Sequence, residues 1–184
     1  MFTEEQGRLL TTLARAAIAR EFGEPVAALP RPGWLDAPGA VFVTLTEAGR
    51  LRGCIGSLEA HRSLGEDLEQ NARAAAFNDP RFPPLTPAEL PRAHVEISVL
   101  TPATPLAFRD ESDALAQLRP GVDGVILEYG WHRATFLPQV WEQLPEPRLF
   151  MSHLKQKAGL SGDFWDKAVR LSRYGVEKFK ETWV

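Results

Sequence analysis

The chain has 184 residues, 44% of them hydrophobic and 24% charged, so it can bury one sizeable core and does not read as disordered, collagenous or coiled-coil. Its 24 acidic and 21 basic side chains leave a net charge of -3, which gives the whole chain no electrostatic reason to seek nucleic acid, and no apolar run approaches the roughly 20 residues that cross a bilayer. The single cysteine, Cys54, excludes an internal disulfide and a zinc site built on cysteines, and it points to a reducing compartment.

The opening Met1-Phe2-Thr3-Glu4-Glu5-Gln6 has no basic stretch ahead of an apolar core, so no secretory leader is expected and the protein reads as cytoplasmic. Thr3 and Gln6 have capping-box spacing, Leu10, Leu13, Ala14 and Ala17 recur at helical intervals, and Gly23 follows, predicting a helix over 3–22. Pro25, Pro30, Pro32 and Pro38 break both helix and sheet, making 23–39 a covering loop with Trp34 as its pin. The β-branched run 40–46, the turn Glu47-Ala48-Gly49-Arg50 and the run 51–56 read as a hairpin.

Ser63 and Glu66 repeat the capping-box spacing ahead of an alanine-rich amphipathic helix that ends before Asp79-Pro80, its small residues suited to close packing on a sheet. Five prolines stiffen 79–91. Strict alternation over 94–100 predicts a half-buried strand with Val95, Ile97 and Val99 on one face and His94, Glu96 and Ser98 on the other. A short helix over 112–118, a hairpin of 125–129 and 132–137 around Gly130, a helix from Pro147 stopped by Gly159, and one last strand over 169–179 bulged at Gly175 complete the reading. Hairpins with irregularly spaced helices give an α+β fold around a mainly antiparallel sheet flanked by helices.

Chemistry concentrates in Arg52-Gly53-Cys54-Ile55-Gly56. Strand alternation puts Arg52 and Cys54 on one face, and a guanidinium beside a thiol favours the nucleophilic thiolate; the other reading is a small buried cysteine that only packs. Glu96 and Ser98, with His94, offer a base and a hydroxyl if their strand lies near that thiol, and otherwise form a solvated sheet face. Asp79 and Arg81 flank Pro80 and either meet a ligand or act as a clamp, the carboxylate accepting backbone N–H groups and pairing with the arginine. The four histidines, 61, 94, 132 and 153, are scattered without ligand spacing, and no glycine fingerprint for a nucleotide is present, so neither metal nor cofactor is expected. The five tryptophans, 34, 131, 141, 165 and 183, suit the core, a pocket or a partner surface.

Three segments in register, Leu51-Arg52-Gly53-Cys54-Ile55-Gly56, Ala74-Ala75-Ala76-Phe77-Asn78-Asp79-Pro80-Arg81-Phe82 and Thr135-Phe136-Leu137-Pro138-Gln139-Val140-Trp141, resemble the hallmarks of the AMMECR domain, whose prokaryotic members are called AmmeMemoRadiSam system protein A. Glu96 to Leu100 and the run Leu154-Lys155-Gln156-Lys157-Ala158-Gly159-Leu160 fall in the expected order, so the resemblance covers nearly the whole chain, read as a single domain over 1–184. It implies one larger and one smaller lobe and a cleft near Cys54, and it implies no known reaction.

Carried over residue by residue, the candidate catalytic set is Cys54, Arg52, Glu96 and Ser98, and the candidate ligand-binding set is Gly53, Ile55, Gly56, Asp79, Arg81 and Gln139. Two functions follow as expectations. One is an enzyme using Cys54 as nucleophile or redox thiol; the other is a non-catalytic module that docks a metabolite or partner in the same cleft. The resemblance also implies a shared pathway with a Memo-like protein and a radical S-adenosylmethionine protein; an unidentified small molecule is expected as a further partner, while the net charge argues against nucleic acid as a partner and the lack of a long apolar run against a membrane.

Overall fold

The structure is a computed structural model that describes residues 1–182 of the chain. Trp183, among the tryptophans weighed above, lies outside the described residues. The fold is α+β with antiparallel sheets. The chain divides into two compact units, a larger one of Met1–Leu100 with the C-terminal stretch from Glu177, and a smaller one of Thr101–Val176.

The larger unit begins with α1 (Glu4–Glu21), whose capping box between Thr3 and Gln6 is formed in both directions. A 3-10 turn over Gly33–Asp36 and the two-residue strand β1 (Pro38–Gly39) interrupt what sequence reads as plain loop, and Trp34 packs edge-on against Phe2 at 5.6 Å between ring centroids. Strands β2 (Val41–Glu47) and β3 (Arg50–Gly56) form the expected hairpin. Its turn takes positive φ at Ala48 (49°) and Gly49 (75°), the conformation that matches the twist of a two-residue hairpin. After β4 (Arg62–Ser63), which pairs with β1, helix α2 (Leu64–Phe77) starts on the Ser63–Glu66 capping box. Strand β5 (Ala93–Leu100) follows the proline-rich loop.

Two helices cover one face of this sheet. Leu10, Leu13 and Ile18 of α1 and Leu68, Ala72 and Ala75 of α2 bury against Val41, Val43, Leu45, Val95, Ile97 and Val99. Each fully buried aliphatic side chain contributes about 1.5–3 kcal/mol relative to exposure. The alternation predicted for 94–100 is observed, with Val95, Ile97 and Val99 buried and Glu96 and Ser98 half-buried on the opposite face.

In the smaller unit, β6 (Thr104–Pro105), α3 (Glu111–Gln117), β7 (Gly124–Tyr129), β8 (His132–Phe136), α4 (Pro147–Lys157) and β9 (Arg170–Tyr174) build a second antiparallel sheet in the order β6-β9-β7-β8. Its core centres on Phe150, which stacks on the buried Trp141 at 3.7 Å between centroids; the indole N–H donates to the Asp123 carbonyl at 2.7 Å.

The last strand departs from expectation. Residues 169–179 are two strands in different sheets: β9 joins the second sheet, and β10 (Val176–Lys180) is the edge neighbour of β5 in the first, giving the order β10-β5-β2-β3. Gly175 is the joint rather than a bulge. Its N–H donates to Thr101 Oγ1 at 2.7 Å and its carbonyl accepts the Thr101 N–H at 2.9 Å, so no ladder continues through it.

Candidate functional site

β3 is an edge strand, and its signature residues divide between the two faces by simple alternation. Gly53 pairs with Leu45 and Ile55 with Val43, both on the helix-covered side. A Cβ at Gly53 would drive into the Ala75 carbonyl oxygen of α2, so glycine is what lets helix and strand approach. On the other side, a Cβ at Gly56 would drive into the Phe42 ring.

Cys54 lies opposite Thr44, which in turn lies opposite Glu96 on β5. The three therefore form one row across the face away from the helices. The Cys54 main-chain N–H and carbonyl point off the edge, so Thr44 and Cys54 are a pair without ladder bonds, the arrangement in which facing side chains come closest. Sγ accordingly sits 3.3 Å from Thr44 Oγ1.

The edge itself is closed by the loop after α2. Asp79, only 4% exposed, accepts the Cys54 N–H at 2.9 Å, the Arg81 N–H at 3.1 Å and two Arg81 guanidinium bonds at 3.0 and 2.7 Å. Arg81 donates in turn to the Cys54 carbonyl at 3.3 Å. The pair does on β3 what a further strand would do, and this is the clamp reading of Asp79-Pro80-Arg81. The Arg81 hydrogen bonds hold the Asp79 carboxyl well below the usual carboxylate range, and Asp79 raises Arg81 in return.

Arg52 occupies an irregularity in the ladder, since the register shifts between Leu45 and Thr46 and leaves Arg52 without an opposite residue on β2. Its side chain is buried and forks onto Glu89 at 2.9 and 3.3 Å. Glu89 also accepts the Thr86 N–H at 2.7 Å and its hydroxyl at 2.9 Å; with Arg52 as the largest cause, its carboxyl is pulled down to about 2. Both guanidinium groups near Cys54 are thus neutralised by a dedicated carboxylate.

Glu96 stands one strand beyond Thr44, about 10 Å of sheet from Cys54, and its carboxylate meets Lys180 at 3.2 Å and Lys178 at 3.8 Å on β10. Ser98 belongs to the next row of the same face, across Phe42 from Gly56. Gln139 is exposed in a 3-10 turn (Pro138–Glu142) of the smaller unit. Among the described residues no group of three His, Cys, Asp or Glu side chains is arranged to hold a metal ion, and no helix is long and apolar enough to cross a membrane.

Four participants escaped the sequence reading. Thr44 is visible only once the register of β2 and β3 is known. Glu89 carried a signal in its capping-box spacing from Thr86, set among prolines. Buried Asp67 and Asn71, one helical turn apart on α2, tie down the start of β2: Asp67 accepts the Val41 N–H at 2.9 Å and Asn71 donates to the Val41 carbonyl at 3.1 Å.

Comparison with known proteins adds kinship over almost the full chain. The AMMECR1 family model matches residues 11–179. A protein of Methanothermobacter thermautotrophicus is 40% identical, covering 97% of this chain and 96% of its own length, and one of Saccharolobus solfataricus is 39% identical over 97% and 83%. The crystal structure of an uncharacterised protein from Pyrococcus horikoshii is similar at a TM-score of 0.80 and 33% identity, covering 99% of this chain and 94% of that one. With the family model spanning nearly all of it, this chain belongs to the AMMECR1 family.

Proposed function

We propose that the protein is a binding module whose sheet face around Cys54 receives a partner protein or metabolite, and that it works in the cytoplasm beside a Memo-like protein and a radical S-adenosylmethionine protein. The observation that supports this reading is the closed pairing around the thiol. Arg52 pairs with Glu89 while its Nη1 is buried without a hydrogen-bond partner among the described residues, Arg81 pairs with Asp79 and Glu96 with two lysines, and the side chain hydrogen-bonded to Sγ is a threonine hydroxyl, which is no general base at neutral pH. The same bonds make Cys54 and its strand rigid, which lowers the entropy lost when a partner docks. The single unpaired cysteine supports the cytoplasmic assignment.

Calorimetric titration with purified Memo-like and radical S-adenosylmethionine proteins tests it. Cys54→Ser is expected to keep affinity within about threefold, and Thr44→Lys, which puts a charge on the middle of the row, to weaken binding at least tenfold. Absence of binding to either protein, or equal binding by Thr44→Lys, removes the reading.

The contact of Sγ with Thr44 Oγ1 at 3.3 Å and the Arg81 guanidinium bound to the Cys54 carbonyl favour a second reading. In it Cys54 is a nucleophile or redox thiol, Arg52 steadies its charge, and Glu96 and Ser98 handle protons and substrate. Alkylation of the native and denatured protein separates the two: a native thiol that reacts as fast as the denatured one or faster supports chemistry at Cys54, and one protected until denaturation supports the module.

A further inference from the structure

Arg52 is 9% exposed, and only one side of its guanidinium is bonded. Glu89 takes the edge that carries Nε and Nη2, at 2.9 and 3.3 Å. Nη1 is buried and has no hydrogen-bond partner among the described residues. A buried donor without an acceptor is unfavourable, because nothing replaces the water it gave up on folding. Arg81 gives the contrast, with Nε and Nη2 bonded to Asp79 and Nη2 also to the Cys54 carbonyl.

The two guanidiniums share an aromatic neighbour. The centre of the Phe82 ring lies 5.9 Å from Arg52 Cζ and 5.5 Å from Arg81 Cζ. Phe22 and Phe77 pack on the apolar core of the larger unit, whereas Phe82 is half-buried outside it. The Phe82 N–H donates to the Asp79 carbonyl at 3.1 Å, so the backbone is held while the ring is free to turn about its side-chain bonds. Charge here is balanced: Arg52 and Arg81 each pair with a carboxylate. An anion entering this place meets two carboxylates as well as two cations, and an uncharged acceptor meets no such opposition.

We propose that Arg52 Nη1 is the recognition point for the carbonyl oxygen of an amide, which enters as the Phe82 ring swings aside. This rests on the binding-module reading and names the chemical group that the module recognises. An amide is the strongest acceptor among uncharged carbonyl groups; it satisfies Nη1 and leaves the site neutral. A peptide bond of a partner and the primary amide of a free metabolite share this chemistry.

NMR of the arginine side chains in the 15N-labelled full chain, titrated with N-methylacetamide for the peptide bond, acetamide for the primary amide and sodium acetate for a charged acceptor, tests the proposal. At least one amide is expected to move the Arg52 signals to saturation, with acetate at least fivefold weaker, and the stronger amide assigns the source. Phe82→Ala, which removes the cover, should reach half-saturation at about fivefold lower amide concentration. Glu89→Gln, which removes the neutralising charge, should reverse the preference toward acetate. Arg52→Lys keeps a cation for Glu89 without the planar Nη1 donors, and the Phe82 ring signals should then cease to respond to amide. No response to either amide, acetate as effective as amide in the parent, a Phe82→Ala protein that binds no tighter, or an undiminished response in Arg52→Lys each overturn it. None of these titrations contains a partner protein, so their failure leaves the docking calorimetry standing, and failure of docking leaves the amide response to be read by itself.

Discussion

The edge of β3 and the inner face of α4 hold their charged groups in different ways. Around Cys54, Arg52 and Arg81 each face a carboxylate through two side-chain hydrogen bonds, Arg81 with a third from its own N–H, and the backbone of the strand is part of the same network. On α4, Lys155 is 2% exposed and hydrogen-bonds the partly exposed Glu111, with the charge of Asp163 also acting on it. The motif that catches the eye in sequence is the more densely bonded of the two regions, yet it also holds the buried Arg52 Nη1, which has no hydrogen-bond partner among the described residues.

Breaking the β3 edge should therefore cost more than loosening any exposed ion pair. The largest effect is expected from Gly53→Ala, because the new methyl meets a helix carbonyl that cannot move independently of α2; about 3 kcal/mol is lost, read as a fall in denaturant midpoint. Asp79→Asn comes next. It keeps the shape but weakens the charge-assisted bonds to Arg81 and the Cys54 N–H, for about 2 kcal/mol in the same measurement.

Acid titration sharpens the contrast more gently. Glu89 has a folded value of about 2 against an ordinary 4.5, so its contribution is complete above pH 4.5 and fades as pH falls from there toward 2; Asp79, also lowered, acts in the same direction below 3.8. Melting temperature is expected to fall through that window, and Asp79→Asn to show a shallower fall. A melting temperature indifferent to acid would mean that neither carboxylate is held as described.

Much of the fold was legible because its signals are local. Both capping boxes, the Glu47–Arg50 turn and the alternation of β5 are written within a few residues, and each is observed where expected. The last strand was misread because apolar residues recurring among charged ones over 169–179 do not reveal which partner each half pairs with; that is decided by strands distant in the chain. The site was legible to the same degree. Asp79-Pro80-Arg81 announced a clamp through its turn chemistry, whereas the Thr44 hydroxyl on Sγ and the distance between Cys54 and Glu96 depend on β2 lying between their strands.

The bonded joint of Thr101 and Gly175 bears on how the chain is made. The smaller unit is inserted between β5 and β10, and its ends are fastened to each other by hydrogen bonds. During synthesis β5 must wait as an open edge while the whole insert is added, about 4–15 s at typical elongation rates of about 5–20 residues per second. Only then can Phe179 reach the gap that Gly7 leaves on α1, and Glu181 reach Arg15. The C-terminal strand thus adds the last contacts to the N-terminal helix, so an emerging chain exposes a sheet edge that the finished protein covers, a period in which assistance from chaperones would matter most.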